Sequence, residues 1–470
     1  LEGLEVTELN LSEVRRENIK LRLDSGYFSK AMLEAEALIR KQQNGYEELG
    51  SLFSRFVKGI FDINAESYCE SGVPFLRILN LRKGIIDDNN LALIPENVHT
   101  TEIKTELKLG DIVLSKTAYP AASLVTLNRC NTSQDTIATT LSKYGKNAYT
   151  PETIVAYLNC KIGQRLLWRQ FQGNVQLHLS LDDGRKVPIP KFCIKLQSAI
   201  TQAFRESIST KNRSKSTYTQ AETLLLDTLD LANFSPSTEA VNLKSFKDSF
   251  AATGRLDAEY YQPKFDELEA KIAETHELCP LGRLLTLNQR GTQPNYAEEG
   301  LPVINSKHVR EGEVILSDNR VANLPDKENS LYIQKDDVLI NGTGVGTIGR
   351  SAPYLHEQNA IPDNHVTILR TDKLNPIFLS VYLNSIAGKY QVDKYFKGSS
   401  GQIELYPKDI DCFYVPLVNE AIQTEIAALV QQSFTLKTES ERLLDVAKSA
   451  VEIAIEQDEP AALAYIEAHS

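Results

Sequence analysis

The chain has 470 residues, 42% of them hydrophobic and 24% charged, with a formal net charge of −11. This is the composition of an ordinary globular protein, long enough for two domains plus connecting elements. No run of roughly 18 apolar residues is present, so no membrane span is expected, and the acidic start Leu1-Glu2-Gly3-Leu4-Glu5 lacks the basic and apolar regions expected of a signal peptide.

Net charge argues at face value against nucleic acid, but its distribution weakens that argument. Residues 420–459 hold nine acidic and three basic side chains, and residues 1–20 hold five and three. The remainder is nearly balanced, so local basic clusters can dominate local fields within a screening length of roughly 10 Å. The cysteines Cys69, Cys130, Cys160, Cys193, Cys279 and Cys412 form no C-x-x-C pair and read as reduced thiols of a cytoplasmic chain. Cys160 and Cys412 sit in apolar stretches and are expected in a core. The seven histidines show no H-x-x-x-H or H-E-x-x-H spacing, so no metal site is expected.

In chain order, residues 1–40 are an N-terminal segment and helix, containing Arg22-Leu23-Asp24-Ser25-Gly26-Tyr27-Phe28. Residues 41–190 read as a first α+β domain. Its strands are Phe75-Leu76-Arg77-Ile78 and Ile112-Val113-Leu114, and a late helix covers 153–170. Residues 191–232 carry a long helix over roughly 194–232, with Ile200, Phe204, Ile208, Tyr218, Ala221, Leu225 and Leu229 on one face. Residues 233–277 are a linker followed by a helix. Residues 278–416 read as a second α+β domain, with strands at 338–340 and 366–369 and a helix over 376–395. A second long helix, roughly 419–457, opens the C-terminal segment 417–470, with a stripe at Ile422, Ile426, Val430, Phe434, Leu444, Val451 and Ile455.

The second half echoes the first at a spacing of about 230 residues. Arg22-Leu23-Asp24 returns as Arg255-Leu256-Asp257, and Tyr27-Phe28 as Tyr260-Tyr261. Glu34, Glu36, Ala37 and Ile39 return as Glu267, Glu269, Ala270 and Ile272. Then follow Leu49-Gly50 with Leu281-Gly282, Gly72-Val73-Pro74 with Gly300-Leu301-Pro302, and Asp111-Ile112-Val113-Leu114 with Asp337-Val338-Leu339-Ile340. Tyr157-Leu158-Asn159 pairs with Tyr382-Leu383-Asn384, Phe171-Gln172-Gly173 with Phe396-Lys397-Gly398, and Val187-Pro188 with Val415-Pro416. A collinear series of this length implies duplication of a whole domain, since solenoid units run to roughly 20–50 residues. Each long helix follows one repeat, and two such narrow stripes are expected to bury each other as an antiparallel coiled-coil pair. Packing of each helix only on its own domain is the other reading.

Gly342-Thr343-Gly344-Val345-Gly346-Thr347-Ile348-Gly349 follows a strand, but Arg350-Ser351-Ala352-Pro353 reads as strand and turn rather than the helix a dinucleotide site needs. Glu106-Leu107-Lys108 has the shape of half a nuclease motif within a charged surface run. Basic and amide side chains, by contrast, recur after the same framework residues. In the first repeat they are Arg77, Asn80, Arg82, Lys83, Lys116, Asn174, Gln176, His178, Arg185 and Lys186. In the second they are Asn305, Lys307, His308, Arg310, Asn341, Thr343, Arg350, Lys397, Ser399, Ser400 and Gln402. Arg and Lys suit phosphates and guanine edges, Asn and Gln suit adenine edges, and the recurrence points to a shared DNA-binding face.

The Arg-Leu-Asp openings at 22–28 and 255–261, Gly-Val-Pro-Phe-Leu-Arg at 72–77, Gly-Asp-Ile-Val-Leu-Ser-Lys at 110–116, and the 336–344 and 347–350 runs form an ordered set. With the two helices, this set resembles the DNA-specificity subunit of type I restriction–modification systems over nearly the whole chain. The first repeat departs by lacking the glycine-rich loop. The resemblance implies two similar α+β target-recognition domains, related by a pseudo-twofold internal duplication and joined by two long antiparallel helices. Each domain would read one half of a bipartite double-stranded DNA site. The helices would set the gap and dock two modification subunits, which a restriction (motor-nuclease) subunit joins. The chain itself would be non-catalytic, without cofactors of its own. S-adenosylmethionine, ATP and Mg would act on the partner subunits. Two other readings stay open: the specificity chain of a type IIB-like system, and a protein-interaction scaffold with no DNA role.

Overall fold

The computed structural model describes residues 7–15, 22–61, 63, 65–173, 177–239, 241–323, 331–398, 401 and 403–469. They fall into two compact units, Leu1–Asn212 with Lys437–Ser470, and Arg213–Leu436. The division falls inside both long helices, Ile194–Thr228 and Glu420–Glu456.

In the first unit the main sheet has the order Phe53–Lys58, Thr136–Leu141, Ile112–Ser115, Ala122–Leu124, Gly84–Ile85. Its central strands are apolar on both faces because each face meets a different core. Ile112, Leu114 and Ile137 join the helices, whereas Val113 and Ala138 join Leu76, Leu81 and Leu107. A period of two divides one continuous hydrophobic run between two cores. A second sheet has the order Ala92–Ile94, Val73–Leu76, Arg129–Thr132, Leu107–Lys108. The expected strand 75–78 is therefore shorter at its end. Arg77 caps a turn over Ile78–Asn80, where the Arg77 N–H donates to Asn80 Oδ1 at 3.0 Å.

In its main sheet the second unit repeats the order of the first four strands, with no counterpart of Gly84–Ile85 among the described residues: Leu287–Arg290, Val366–Arg370, Val338–Asn341, Ser351–Pro353. Alternate residues again part, with Val338 and Ile340 facing the helices and Leu339 the other core. The Leu301–Ile304 strand runs parallel to Ile361–Pro362, as Val73–Leu76 runs parallel to Arg129–Thr132.

Each helix expected at 153–170 and 376–395 is two helices, Pro151–Asn159 with Lys161–Gln170, and Pro376–Asn384 with Ile386–Tyr395. Cys160 and Ser385 leave helical geometry and cap the second helix, accepting from Gly163 N–H and Ala387 N–H. The corner is so tight that a Cβ on Gly163 would sit 1.9 Å from Tyr157 O, and one on Gly388 would sit 2.2 Å from Leu383 O. Cys412 is exposed rather than in a core, while Cys160 is buried as expected.

The duplicated Tyr-Leu-Asn motif is explained here. Asn159 Oδ1 accepts from Ala122 N–H (3.1 Å) and its Nδ2 donates to Ala122 O (2.7 Å). Asn384 does the same to Ser351, at 3.0 and 2.8 Å. In the second unit Ser351–Pro353 is an edge strand and the amide takes the place of a neighbour, whereas in the first Asn159 continues the edge that Gly84–Ile85 forms on Ser123 and Leu124. Tyr157 donates to Pro188 O and Tyr382 to Tyr414 O, tying the same helix to a two-stranded edge. In those edges Tyr46 faces Pro190 and Leu278 faces Pro416. Pro190, not Pro188, is thus the counterpart of Pro416, and the Val187-Pro188 match is offset by two residues.

The Arg-Leu-Asp openings are latches. Arg22 donates to the helix-terminal carbonyls of Arg169 (2.9 Å) and Phe171 (3.2 Å), pairs with Asp24 (2.8 Å) and lies over Tyr27. Arg169 stacks on the same ring and pairs with Glu36. In the second unit Arg255 pairs with Asp257 and covers Tyr260, which Lys394 also approaches. A cation at a helix C-terminus is favourable because unpaired carbonyls leave partial negative charge there.

Both long helices take part in each unit. In the first, Ser207 and Ser440 exchange hydroxyl-to-carbonyl bonds at 2.8 and 2.9 Å. In the second, Ser214 and Ser433 do so at 2.8 Å each. All four are buried. Small residues seven apart allow this close approach. Each helix also packs on its unit's own core, through Leu196, Ile200, Leu444 and Val451 in the first and Ala221, Leu225, Ile426 and Val430 in the second. Neither helix packs only on the domain it follows, since both contribute to the core of each unit.

Candidate nucleic-acid interface

One end of each main sheet gathers loops from distant parts of the sequence. In the first unit the Lys116 carbonyl accepts from Leu179 N–H at 2.7 Å, and Thr117 bridges His178. The Tyr119 hydroxyl reaches Ile78 O and Leu81 O at 3.4 Å each, bringing in the turn after Val73–Leu76. In the second unit the Gly342 carbonyl accepts from Leu405 N–H at 2.8 Å, and Thr343 bridges Glu404. Asn341 Nδ2 donates to Ser306 O at 3.1 Å, bringing in the turn after Leu301–Ile304.

Many of the sequence candidates meet at these two ends. Arg77 and Lys116 are half-buried and His178 is exposed. Lys307 is exposed and pairs with Asp318 (3.0 Å), Thr343 contacts His365 Nδ1 (2.8 Å), and Lys397 pairs with Asp409 (2.7 Å). Asn305 accepts from Lys307 N–H at 3.1 Å. Arg350 lies half-buried in the hairpin that the glycine-rich loop makes, with Gly344 and Gly346 at φ 95 and 76. That loop leads into the Ser351–Pro353 strand and no helix starts there. Arg310 is exposed; Arg82 is exposed and paired with Asp87 at 2.9 Å. Lys83 is exposed, with its pKa lowered by burial of its ammonium and by nearby Lys448.

Three candidates are buried rather than at a surface. Asn80 (0% exposed) spends its amide on Arg77 N–H, Asp87 O and Asn89 O. His308 (2%) accepts from Asn305 N–H through Nδ1, and burial holds its pKa down, with Lys307 adding to the effect. Asn341 (0%) holds the same turn from below. Turn-forming side chains carry the same residue types as base-reading ones, which is why the sequence did not separate them. Arg185, also in the cluster, donates to Phe56 O at 2.8 Å and covers the Phe56 ring. Asn174, Gln176, Ser399, Ser400 and Gln402 lie outside the described residues.

Several residues at these ends escaped the sequence reading. Arg290 donates to Asn364 O (2.6 Å), approaches Glu404 (3.8 Å) and lies over the exposed Tyr406 ring, as does Lys397. The Glu404 carboxylate accepts from the Tyr406 hydroxyl and pushes its pKa up. Asp363 is raised by burial, against the pull of His365 and Arg290. In the first unit Lys58 sits over exposed Phe61 at 4.4 Å. Lys58 and Arg290 each stand just before a glycine, Gly59 and Gly291, where a Cβ would collide with backbone oxygens at 2.1 and 2.3 Å. A basic residue before a glycine at both places was the available signal.

Among the described residues no group of His, Cys, Asp and Glu could hold a metal ion, and no helix is long and apolar enough to cross a membrane. No curated protein matches the chain. Among solved structures it is similar to a type I restriction–modification S subunit from M. genitalium, at 12% identity and TM-score 0.37, covering 91% of this chain and 98% of that one. It is also similar to the HsdS subunit from Thermoanaerobacter tengcongensis, at 14% identity and TM-score 0.28, covering 88% and 96%. The assignment rests on a family match, that of the type I restriction modification DNA specificity domain to residues 269–445. Those residues cover most of the second unit and part of the second long helix, and there the chain is similar to that family.

Proposed function

We propose that the chain is the DNA-specificity subunit of a type I restriction–modification complex and that each unit reads one half of a bipartite site. The observation that carries this reading is the recurrence, in the first unit, of the element order found in the family-matched second unit. Asn159 and Asn384 clamp equivalent strands, and the same sheet end collects basic and aromatic side chains in both. In this reading the sheet ends face the duplex. Lysines and arginines there position phosphates, and amides and exposed rings meet base edges. The two long helices set the unread gap and dock two modification subunits, to which the restriction subunit adds. Methyl transfer and cleavage, with S-adenosylmethionine, ATP and Mg, belong to those partners, so this chain supplies address rather than chemistry.

A salt titration of duplex binding by the full chain tests the reading. Phosphate contacts release counterions, so affinity falls steeply as salt rises. Absence of duplex affinity at every salt concentration would favour the scaffold reading that the net charge of −11 motivates.

A further inference from the structure

We propose that the two units hold DNA differently: the first grips the phosphate backbone with a pair of lysines in no ion pair, Lys58 and Lys116, while the second meets it with side chains already held in ion pairs. This rests on the DNA-binding reading above and adds an asymmetry between the two heads.

The equivalence of positions comes from sheet register. Lys58 faces Ile137, which faces Leu114. Arg290 faces Thr367, which faces Ile340. Residues directly opposite share a face, and the residue two further along a strand returns to it. Lys116, two beyond Leu114, therefore comes back to the face of Lys58 at the sheet end. Its counterpart in the second unit is Gly342, two beyond Ile340. The carbonyls of Lys116 and Gly342 accept equivalent bonds from Leu179 and Leu405, which confirms the match.

The first unit thus has two ammonium groups where the second has one guanidinium. A Cβ on Gly342 would lie 3.6 Å from the Arg290 guanidinium carbon, so Arg290 occupies the space beside this position. Among the described residues neither Lys58 nor Lys116 makes an ion pair. Asp135 acts on Lys116 only through its field, while burial and then Lys58 lower the Lys116 pKa. Two half-buried like charges that no carboxylate pairs with directly are unfavourable together until an anion arrives. In the second unit the cations are already answered. Arg290 meets Glu404 and the Asn364 carbonyl, and Lys397 meets Asp409. The first-unit counterpart of Lys397 is Gln172, whose amide donates to Asp183 at 2.9 Å. Exposed Phe61 beside Lys58 offers a surface for sugar or base once the phosphate is held.

The test is the slope of log affinity against log salt for the full chain on duplex DNA. Each phosphate contact contributes about 0.9 to that slope. K58Q/K116Q should flatten it by about 1.8. R290Q should change it by less than half as much, since that charge is already paired. K58R/K116R should keep the wild-type slope, which separates charge loss from misfolding. G342K should steepen the slope by up to about 0.9, by adding the second cation to the second unit. An unchanged slope in K58Q/K116Q, or flattening by R290Q of about 0.9, the same per charge as the lysines, would overturn the asymmetry and leave DNA binding standing. A wild-type chain with no duplex affinity at any salt would overturn the functional reading itself.

Discussion

Replacing Asn384 with alanine should destabilise the second unit by an amount the structure sets. The side chain is buried and makes two bonds to one residue, accepting from Ser351 N–H at 3.0 Å and donating to Ser351 O at 2.8 Å. Ser351 O has other donors, Gly312 N–H at 2.9 Å and the Ser380 hydroxyl at 3.1 Å. Ser351 N–H faces away from the neighbouring strand, since the bonded pair of that ladder is Asn341 with Arg350. Losing Asn384 therefore strands one buried donor, at about 1–3 kcal/mol, and removes one further bond, at about 1 kcal/mol. The sum, about 2–4 kcal/mol, is a large share of an ordinary domain's stability. It should lower the melting temperature by roughly 4–16 °C for a unit of this size. Asn384→Asp should cost at least as much at neutral pH, because a carboxylate cannot donate and is buried. Its stability should recover as pH falls, since the protonated acid again offers one donor and one acceptor. Urea unfolding followed by near-ultraviolet circular dichroism checks both variants. A cost for Asn384→Ala under about 0.5 kcal/mol would refute the strand-mimic account.

Three other outcomes are expected. Burial opposes ionisation of Glu36, but Arg169 and Arg40 outweigh it and hold the carboxyl below its ordinary value. The stability from this ion pair is complete above the unfolded-state value near 4.5 and is lost as pH falls through the lower folded value. Glu36→Gln should therefore flatten the acid limb of the stability profile, measured by urea titration from pH 7 to about pH 3. In native protein, maleimide should label exposed Cys193 and Cys412 first, while burial raises the Cys130 and Cys160 thiols to about 12 and keeps them unlabelled until unfolding; mass spectrometry of the labelled peptides reads the order. Deleting 208–214 and 434–440 together removes one seven-residue step from each long helix and brings Ser207 opposite Ser433, preserving a serine pair. Binding to duplexes of graded half-site separation should then favour a shorter gap, and an unchanged preference would count against the helices as spacer.

The parts of the fold legible in the sequence were those with a period or a repeat. The stripes on the long helices and the apolar runs at 112–114 and 338–340 follow from 3.6 and two-residue periodicity, and the structure places them as expected. Helix breaks at Cys160 and Ser385 were hidden because Tyr-Leu-Asn-Cys-Lys-Ile-Gly and Tyr-Leu-Asn-Ser-Ile-Ala-Gly keep helical character on both sides. Only the glycine three residues after each cap marks the corner. At the candidate interface, Lys116, Thr343 and Lys397 were visible because they follow duplicated framework residues. Asn80, His308 and Asn341 followed the same framework for another reason, since they hold the turns that shape the surface. Arg290 and Tyr406 were invisible because they come together only through sheet register and the return of the chain after Gly398.

The most direct measurement is selection of duplexes from a randomised library by the full chain, followed by sequencing of the bound pool. The account predicts enrichment of a split motif, two specified blocks separated by a fixed unspecified gap, with Lys58 and Lys116 variants losing overall affinity while both blocks persist. Enrichment of one continuous block, or of nothing, would contradict it.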